Sequence, residues 1–375
     1  MKRLLILLFV LFAAALFAED DSGTKSAAQE KPQVEVVFVL DSTGSMGGLI
    51  EGAKQKIWAI ATEIIQLTPT PEVRMGLLTY RDKGDDYVTK MFDITDDIDA
   101  IYGHLLTINA AGGGDGPESV NQALDEAVNK MEWSPKERNV YRVIFLVWDF
   151  PPHMDYQDDV KYPETCRKAL EKRIIINTIQ CGDERTCTPI WKEIAQKSEG
   201  EFVQMSQTGN VVAIETPFDK EIITENERLN GTVIIYGTAR QRGAVMNKLE
   251  AASRASSSIQ ADRAVFNNIR GVGQAIQGRG DLLNDIIGDK ELLDKVEELP
   301  EELQKMTVEE REKYVKEKQA ERAEINTRIV ELSKKRAEWL KTEGEKKRLE
   351  ASADAPSFDK NVSEMLQRQW KAAAK

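Results

Sequence analysis

Six short apolar runs, spaced by stretches of helical periodicity, limit what this chain can become. Val34 to Leu40 reads Val-Glu-Val-Val-Phe-Val-Leu, a nearly continuous apolar run of the kind that fills a buried central strand. Val73 to Tyr80, Tyr87 to Phe92, Val143 to Trp148, Arg173 to Gln180 and Glu201 to Met205 supply the others. Between them, Ile50, Ile57, Ile60, Ile64 and Ile65 recur at helical spacing inside a predicted helix from Gly48 to Leu67. Further helices are predicted near Asp96 to Leu106, Pro117 to Met131, Asp158 to Lys172 and Pro189 to Lys197. Strands alternating with helices at this spacing require crossover connections, and crossovers make a parallel sheet covered on both faces. The turn-like Asp82-Lys83-Gly84-Asp85-Asp86 joins the second and third runs too tightly for a crossover, so that pair is expected to be antiparallel. The fold class is therefore α/β: a doubly wound, mostly parallel sheet with one antiparallel edge strand, followed by a helical C-terminal region.

That region begins near Pro217, where the strand pattern stops. Thr232 to Tyr236 is compatible with a strand or with part of a helix. Thr307 followed by Glu310 spells a capping box, opening a helix expected to run to about Lys341. Its apolar stripe is thin, with Val315, Ile325, Ile329, Leu332 and Trp339 on one side and Lys318, Arg322 and Arg336 interleaved. Pairs such as Glu324–Arg328 and Glu331–Lys335 add little, so the helix needs a partner. That partner is either another helix of residues 217–375 or a second chain, and self-association through these helices stays open. Ala355 to Phe358, with Pro356 inside it, interrupts the pattern before an amphipathic stretch at Val362 to Trp370.

The N-terminus has the layout of a secretory signal peptide over residues 1–18. Lys2 and Arg3 precede an apolar run from Leu4 to Ala18, and Glu19, Asp20, Asp21 and Ser22 follow at once. The expectation is an exported protein, periplasmic, cell-surface or secreted, touching a membrane only through the leader if that stays uncleaved. Residues 19–32 are small and polar and are expected to be a disordered linker. In an oxidising compartment the three cysteines matter: Cys181–Cys187 and Cys166–Cys181 are both admissible pairings. A net charge of −12 argues against nucleic acid as a partner, because phosphates call for a basic face. Only His104 and His153 are present, too few for a histidine-built zinc site.

The sharpest signal is Asp41-Ser42-Thr43-Gly44-Ser45, where the first strand ends and the first helix is about to begin. Its three oxygen-bearing side chains at alternate positions can converge above the carboxyl edge of the sheet. Hard divalent cations want such a set: small oxygen ligands, one carboxylate, and water for the rest. Two more clusters arrive at the same edge. Gly112-Gly113-Gly114-Asp115-Gly116-Pro117-Glu118 opens a helix, and Asp149 ends the fourth strand ahead of Phe150-Pro151-Pro152-His153. Open parallel sheets place ligands there, where strand order reverses.

These three loops, in this order, resemble the von Willebrand factor type A family over roughly residues 33–216. The resemblance implies a metal-ion-dependent adhesion site. Asp41, Thr43 and Ser45 would be its first-loop ligands and Asp149 a more distant carboxylate acting through water. The middle loop departs from the commoner pattern, with Asp115 where a threonine would stand. Asp115 is thus a candidate ligand that adds charge, and the ion would be Mg²⁺, with Ca²⁺ or Mn²⁺ also tolerated. The implied function is cation-dependent capture of a protein partner at the metal edge, without catalysis. Two alternatives stay open: a structural envelope protein in which the metal only steadies the fold, and a metal-dependent hydrolase. Against the hydrolase, no general base and no His-Glu-x-x-His accompanies the loops.

Several motifs invite plainer readings. The Asp41 loop alone would pass for a helix-capping turn. The glycines at 112–114 lack the Lys-Ser/Thr of a phosphate loop. His153 reads as a loop residue. Tyr80-Arg81-Asp82 reads as a shaper of neighbouring loops. Arg279-Gly280-Asp281, an adhesion tripeptide by spelling, reads as coincidence.

Overall fold

The computed structural model describes residues 31–114, 116–135, 139–207, 209, 211, 213–269, 273–344, 346–347 and 357–373. The leader of residues 1–18, nearly all of the linker, Asp115 and the interruption around Ala355 and Pro356 lie outside these. Pro32–Lys375 forms one compact unit.

Its centre is a six-stranded sheet in the order β3-β2-β1-β4-β5-β6. The strands are β1 (Gln33–Asp41), β2 (Glu72–Tyr80), β3 (Thr89–Thr95), β4 (Val140–Trp148), β5 (Ile174–Cys181) and β6 (Phe202–Met205). β1 runs parallel to both β2 and β4, and β5 and β6 continue the parallel series. Only β3 is antiparallel, paired to β2. Every residue of β1 is buried, as its unbroken apolar run requires of a strand covered on both faces. The chain leaves β1 toward β2 on one side and returns to β4 on the other, so order reverses at the carboxyl ends of β1 and β4.

The helices α1 (Gly47–Ile65), α2 (Ile98–Leu106), α3 (Val120–Asn129), α4 (Tyr162–Glu171) and α5 (Cys187–Lys197) cover the two faces. α3 starts later than its sequence suggests. Pro117 to Ser119 stay outside the helix, with Glu118 paired to Pro152 in an isolated bridge. All three thiols are free and buried, so neither admissible disulfide pairing is made.

Beyond the sheet follow α6 (Asp219–Asn230), α7 (Ala239–Ser253), α8 (Ser257–Ile269), the short α9 (Leu282–Asp285) and α10 (Glu301–Gln304), and the long α11 (Val308–Trp339). The Thr307–Glu310 capping box forms at the start of α11. Thr232 to Tyr236 is neither strand nor helix but a loop making one bridge, Ile235 to Asp281. Val315, Ile325, Ile329 and Leu332 are buried as the stripe predicts, but Arg322 and Arg336 are buried beside them. Arg322 lies 2.6 Å from Asp281 and donates to Thr232 Oγ1, while Arg336 lies 2.8 Å from Asp219 and 2.7 Å from Asp262. Asp281 is fully buried, so the adhesion tripeptide presents no free carboxylate. Arg328 pairs with Glu221 of α6 and Glu331, rather than with Glu324.

The last helix, α12 (Phe358–Ala373), returns to the sheet. Phe358, Val362, Met365, Leu366 and Trp370 join the main core, with Phe358 tilted against Phe38 and Trp370 edge-on to Tyr141. Among the described residues no helix is long and apolar enough to cross a membrane.

Candidate functional site

At the carboxyl edge β1 ends in Asp41, whose carboxylate is fully buried. Its Oδ1 accepts the backbone N–H of Thr43 at 2.7 Å, which folds the loop back over the strand end. Thr43 Oγ1 and Ser45 Oγ then lie 3.4 Å apart. Asp149, one residue past β4, is buried as well. Its Oδ2 accepts the side-chain amide of Gln207, which also donates to Ser45 O at 3.4 Å. Asp41 Oδ2 and Asp149 Oδ1 are buried without a hydrogen-bond partner. Burial pushes the Asp41 carboxyl well above the usual carboxylate range, and the neighbouring Asp149 charge adds to the rise. Burial raises Asp149 too, against the pull of the Ser45 hydroxyl and the Gln207 amide.

The glycine loop is fixed to this edge by backbone contacts. Gly44 N donates to Gly112 O, Ala111 N donates to Ser42 O, and the Asp85 carboxylate accepts Gly113 N at 3.0 Å. Gly112 and Gly113 both have positive φ, and a Cβ on Gly112 would meet Asp85 Oδ1 at 2.3 Å. Arg81 holds the two loops in register, donating to Ser42 O and Asn109 O, so the Tyr80-Arg81-Asp82 stretch does shape its neighbours. Asp82 accepts Ser119 Oγ at 2.9 Å and the Tyr156 hydroxyl at 2.7 Å. His153 sits in this second layer, its Nδ1 2.9 Å from Asp155 and its ring stacked on Tyr156.

Of the residues read from the sequence, Asp41, Thr43, Ser45 and Asp149 are brought to one edge. Asp115 lies outside the described residues, although Gly112 to Gly114 carry the chain to the same place. Two residues gained no role from the sequence. Gln207 follows the last strand with nothing local to mark it. Glu118 closes the glycine motif without drawing a role of its own from the sequence. It is buried, and a Cβ on Gly113 would lie 3.0 Å from its Oε1 and 3.3 Å from Thr43 Cβ. With burial, the charges of Asp41, Glu118 and Asp149 hold the Tyr80 hydroxyl well above its usual value. Among the described residues no group of three or more His, Cys, Asp or Glu side chains that could hold a metal ion is present.

A doubly wound sheet with acidic and hydroxyl side chains gathered at its switch point defines a class of α/β domain. Residues 35–216 match the family model for the von Willebrand factor A domain, and this part of the chain is such a domain. Similar proteins include the von Willebrand factor A domain-containing protein 7 of Rattus norvegicus, 38% identical over 97 residues, 26% of this chain and 10% of that protein. The alpha-protein kinase vwkA of Dictyostelium discoideum is 28% identical over 138 residues, 36% of this chain and 21% of that one. A putative ariadne-like RING finger protein of Acanthamoeba polyphaga mimivirus is 28% identical over 120 residues, 32% of this chain and 11% of that one. The chain thus spans a tenth to a fifth of the length of these relatives. Among solved structures, the VWA domain of SpRpn10 aligns with TM-score 0.36 and 13% identity, covering 47% of this chain and 88% of that one. Proximal thread matrix protein 1 from the mussel byssus aligns with TM-score 0.37 and 14% identity, covering 48% and 44%. Domains of this family are generally protein-interaction modules.

Proposed function

We propose that the carboxyl edge holds one divalent cation, Mg²⁺ or, with similar chemistry, Ca²⁺ or Mn²⁺, and that the chain captures a protein partner there. The supporting observation is the pair of buried carboxylate oxygens, Asp41 Oδ2 and Asp149 Oδ1, that no protein donor satisfies. Two buried acids whose free oxygens lack donors destabilise a fold unless a cation or protons neutralise them. The donor set suits a hard cation: carboxylates of Asp41 and Asp149 and hydroxyls of Thr43 and Ser45, with Asp115 a further candidate on the glycine loop. When bound, the ion supplies an open coordination position that an oxygen of the partner fills. The protein's own residues do the rest. The Thr43 N–H aims the Asp41 carboxylate, Gln207 occupies one oxygen of Asp149, and Arg81 keeps the two loops together. The leader-like segment at residues 1–18 supports placing this capture outside the cytoplasm.

The test is calorimetric titration of Mg²⁺ and Ca²⁺ into chelator-stripped chain, beside an Asp41→Ala/Ser45→Ala variant. Saturable binding that vanishes in the folded variant is expected. Folded wild type that takes up neither ion would sink the proposal. Binding that raises the melting temperature while leaving metal-dependent partner capture undetectable would favour the structural alternative.

A further inference from the structure

Negative charge gathers at the carboxyl edge. Five loops leave the ends of the parallel strands there or are pinned to them: residues 41–46, 81–88, 109–118, 149–161 and 182–186. Their described residues hold eleven acids against four bases, a net −7 of the whole chain's −12. A divalent cation offsets only two of those charges. An edge this negative repels an acidic partner surface and draws in a basic one. The chain's own side chains show how a cation is held here. Lys83 Nζ lies 4.1 Å from the centre of the Tyr156 ring, 2.6 Å from Asp158 and 3.4 Å from Asp159. Lys90 Nζ lies 3.9 Å from the centre of the Tyr87 ring. Ring faces and carboxylates together are the surroundings an ammonium group favours.

At the same edge the ends of β5 and β6 border an open recess of about 450 Å³, lined by Gly182, Asp183, Gln204, Met205 and Ser206. Met205 is buried, whereas Asp183, Gln204 and Ser206 are exposed around it. Gln204 Nε2 donates to Gly182 O at 2.8 Å and ties the two strand ends together. Gln207, which holds Asp149, also packs on Gly182, where a Cβ would meet its Oε1 at 2.5 Å. The recess therefore adjoins the carboxylate edge itself. An apolar side chain below and a carboxylate at the rim suit lysine or arginine, whose stem lies on carbon while its charge stays at the surface. We propose that the partner captured at this edge presents a lysine- or arginine-rich face and seats one such side chain in the recess against Asp183. The proposal rests on the reading of the edge as a capture site, but the recess takes its side chain with or without the metal ion.

The experiment is calorimetry on the folded full chain with a hexalysine peptide, in Mg²⁺ and again in chelator. Hexaglutamate is the charge-reversed control and spermidine a small polycation. Hexalysine should bind saturably in both conditions, about tenfold or more tighter than either control, and weaken as salt is raised. Asp183→Lys should cost about tenfold or more, because it turns the attraction in the recess into repulsion. Glu297→Lys makes the same change of charge on an exposed residue of the helical region and should leave the affinity within about twofold. Three results overturn the proposal: hexaglutamate binds as tightly as hexalysine; the two variants weaken hexalysine equally; or spermidine matches hexalysine, which would assign the recess to a small polyamine. The two readings fail separately. Asp183-dependent hexalysine binding by a chain that takes up no Mg²⁺ would uphold the recess and sink the cation site, whereas Mg²⁺ uptake without hexalysine binding would sink this proposal alone.

Discussion

Gly112 shows how far single residues decide this edge. Its φ is +80° and a Cβ there would strike the Asp85 carboxylate that anchors Gly113 N. Gly112→Ala should therefore lower stability by about 1–3 kcal/mol from backbone strain alone, read as a shift in the urea midpoint. An unchanged midpoint would mean that the loop re-forms without the Asp85 anchor. Gln207 makes the complementary case. Its amide donates to Asp149 beside the Ser45 hydroxyl, so Gln207→Leu should weaken the proposed cation binding by roughly 10-fold or more, as loss of a partner that orients a ligand does. Tighter binding in that variant would show instead that the amide competes with the ion. These two residues also mark what the sequence could and could not tell. That Asp41, Thr43, Ser45 and Asp149 meet at one edge was legible because residues just past parallel strands come together at the carboxyl edge of the sheet. Gln207 was not, because it reaches the site from β6, across a contact that no local pattern encodes. Glu118 was in plain view as the last residue of the glycine motif, but nothing in its spacing marks it as buried beside Thr43 and Gly113.

At the scale of elements, the strands announced themselves because a strand buried on both faces tolerates few polar residues. The helical region was harder to read. The stripe of α11 reads as thin because Arg322 and Arg336 are interleaved in it, yet both are buried and ion-paired. An arginine's apolar stem and charged end make it ambiguous until its acid is known, and those acids lie in α6, α8 and the segment before α9. Arg336 sits between Asp219 and Asp262, and burial raises the Asp262 carboxyl against the pull of Arg336. Arg336→Met strands the buried Asp219 and the largely buried Asp262 and should cost about 3–5 kcal/mol near neutral pH. The exposed Arg167–Glu171 pair on α4 is the control: Arg167→Met should leave the unfolding midpoint nearly unchanged, because solvent screens an exposed pair. Equal effects at both positions, measured by denaturant unfolding, would contradict the buried-pair account.

At the scale of the whole molecule, the sheet core is completed by a helix more than 150 residues from the last strand, since α12 lies against β1, β4 and α1. Sequence could show α12 as amphipathic but not what its apolar face covers, because packing between remote segments leaves no periodic trace. One consequence of so closed a core is a sensitivity to alkali. Burial lifts the Cys166 thiol from its ordinary 9.0 to about 12, and the Tyr102 and Tyr162 hydroxyls from 10.0 to about 12. Cys181, Cys187 and Tyr141 are pushed up as well, burial again the first cause. Each folded-state value lies above its unfolded one, so the folded chain keeps protons that the unfolded chain releases. The stability these groups contribute is fully present below about pH 9, and is lost as pH climbs from there through about 12. The urea midpoint should accordingly hold steady near pH 8 and fall progressively above pH 9. Tyrosinate absorbance should rise together with unfolding rather than ahead of it. Buried hydroxyls that ionise at the ordinary tyrosine pH while the chain stays folded would mean that water reaches the core, and the packing of α2, α4 and α12 against the sheet would then need revision.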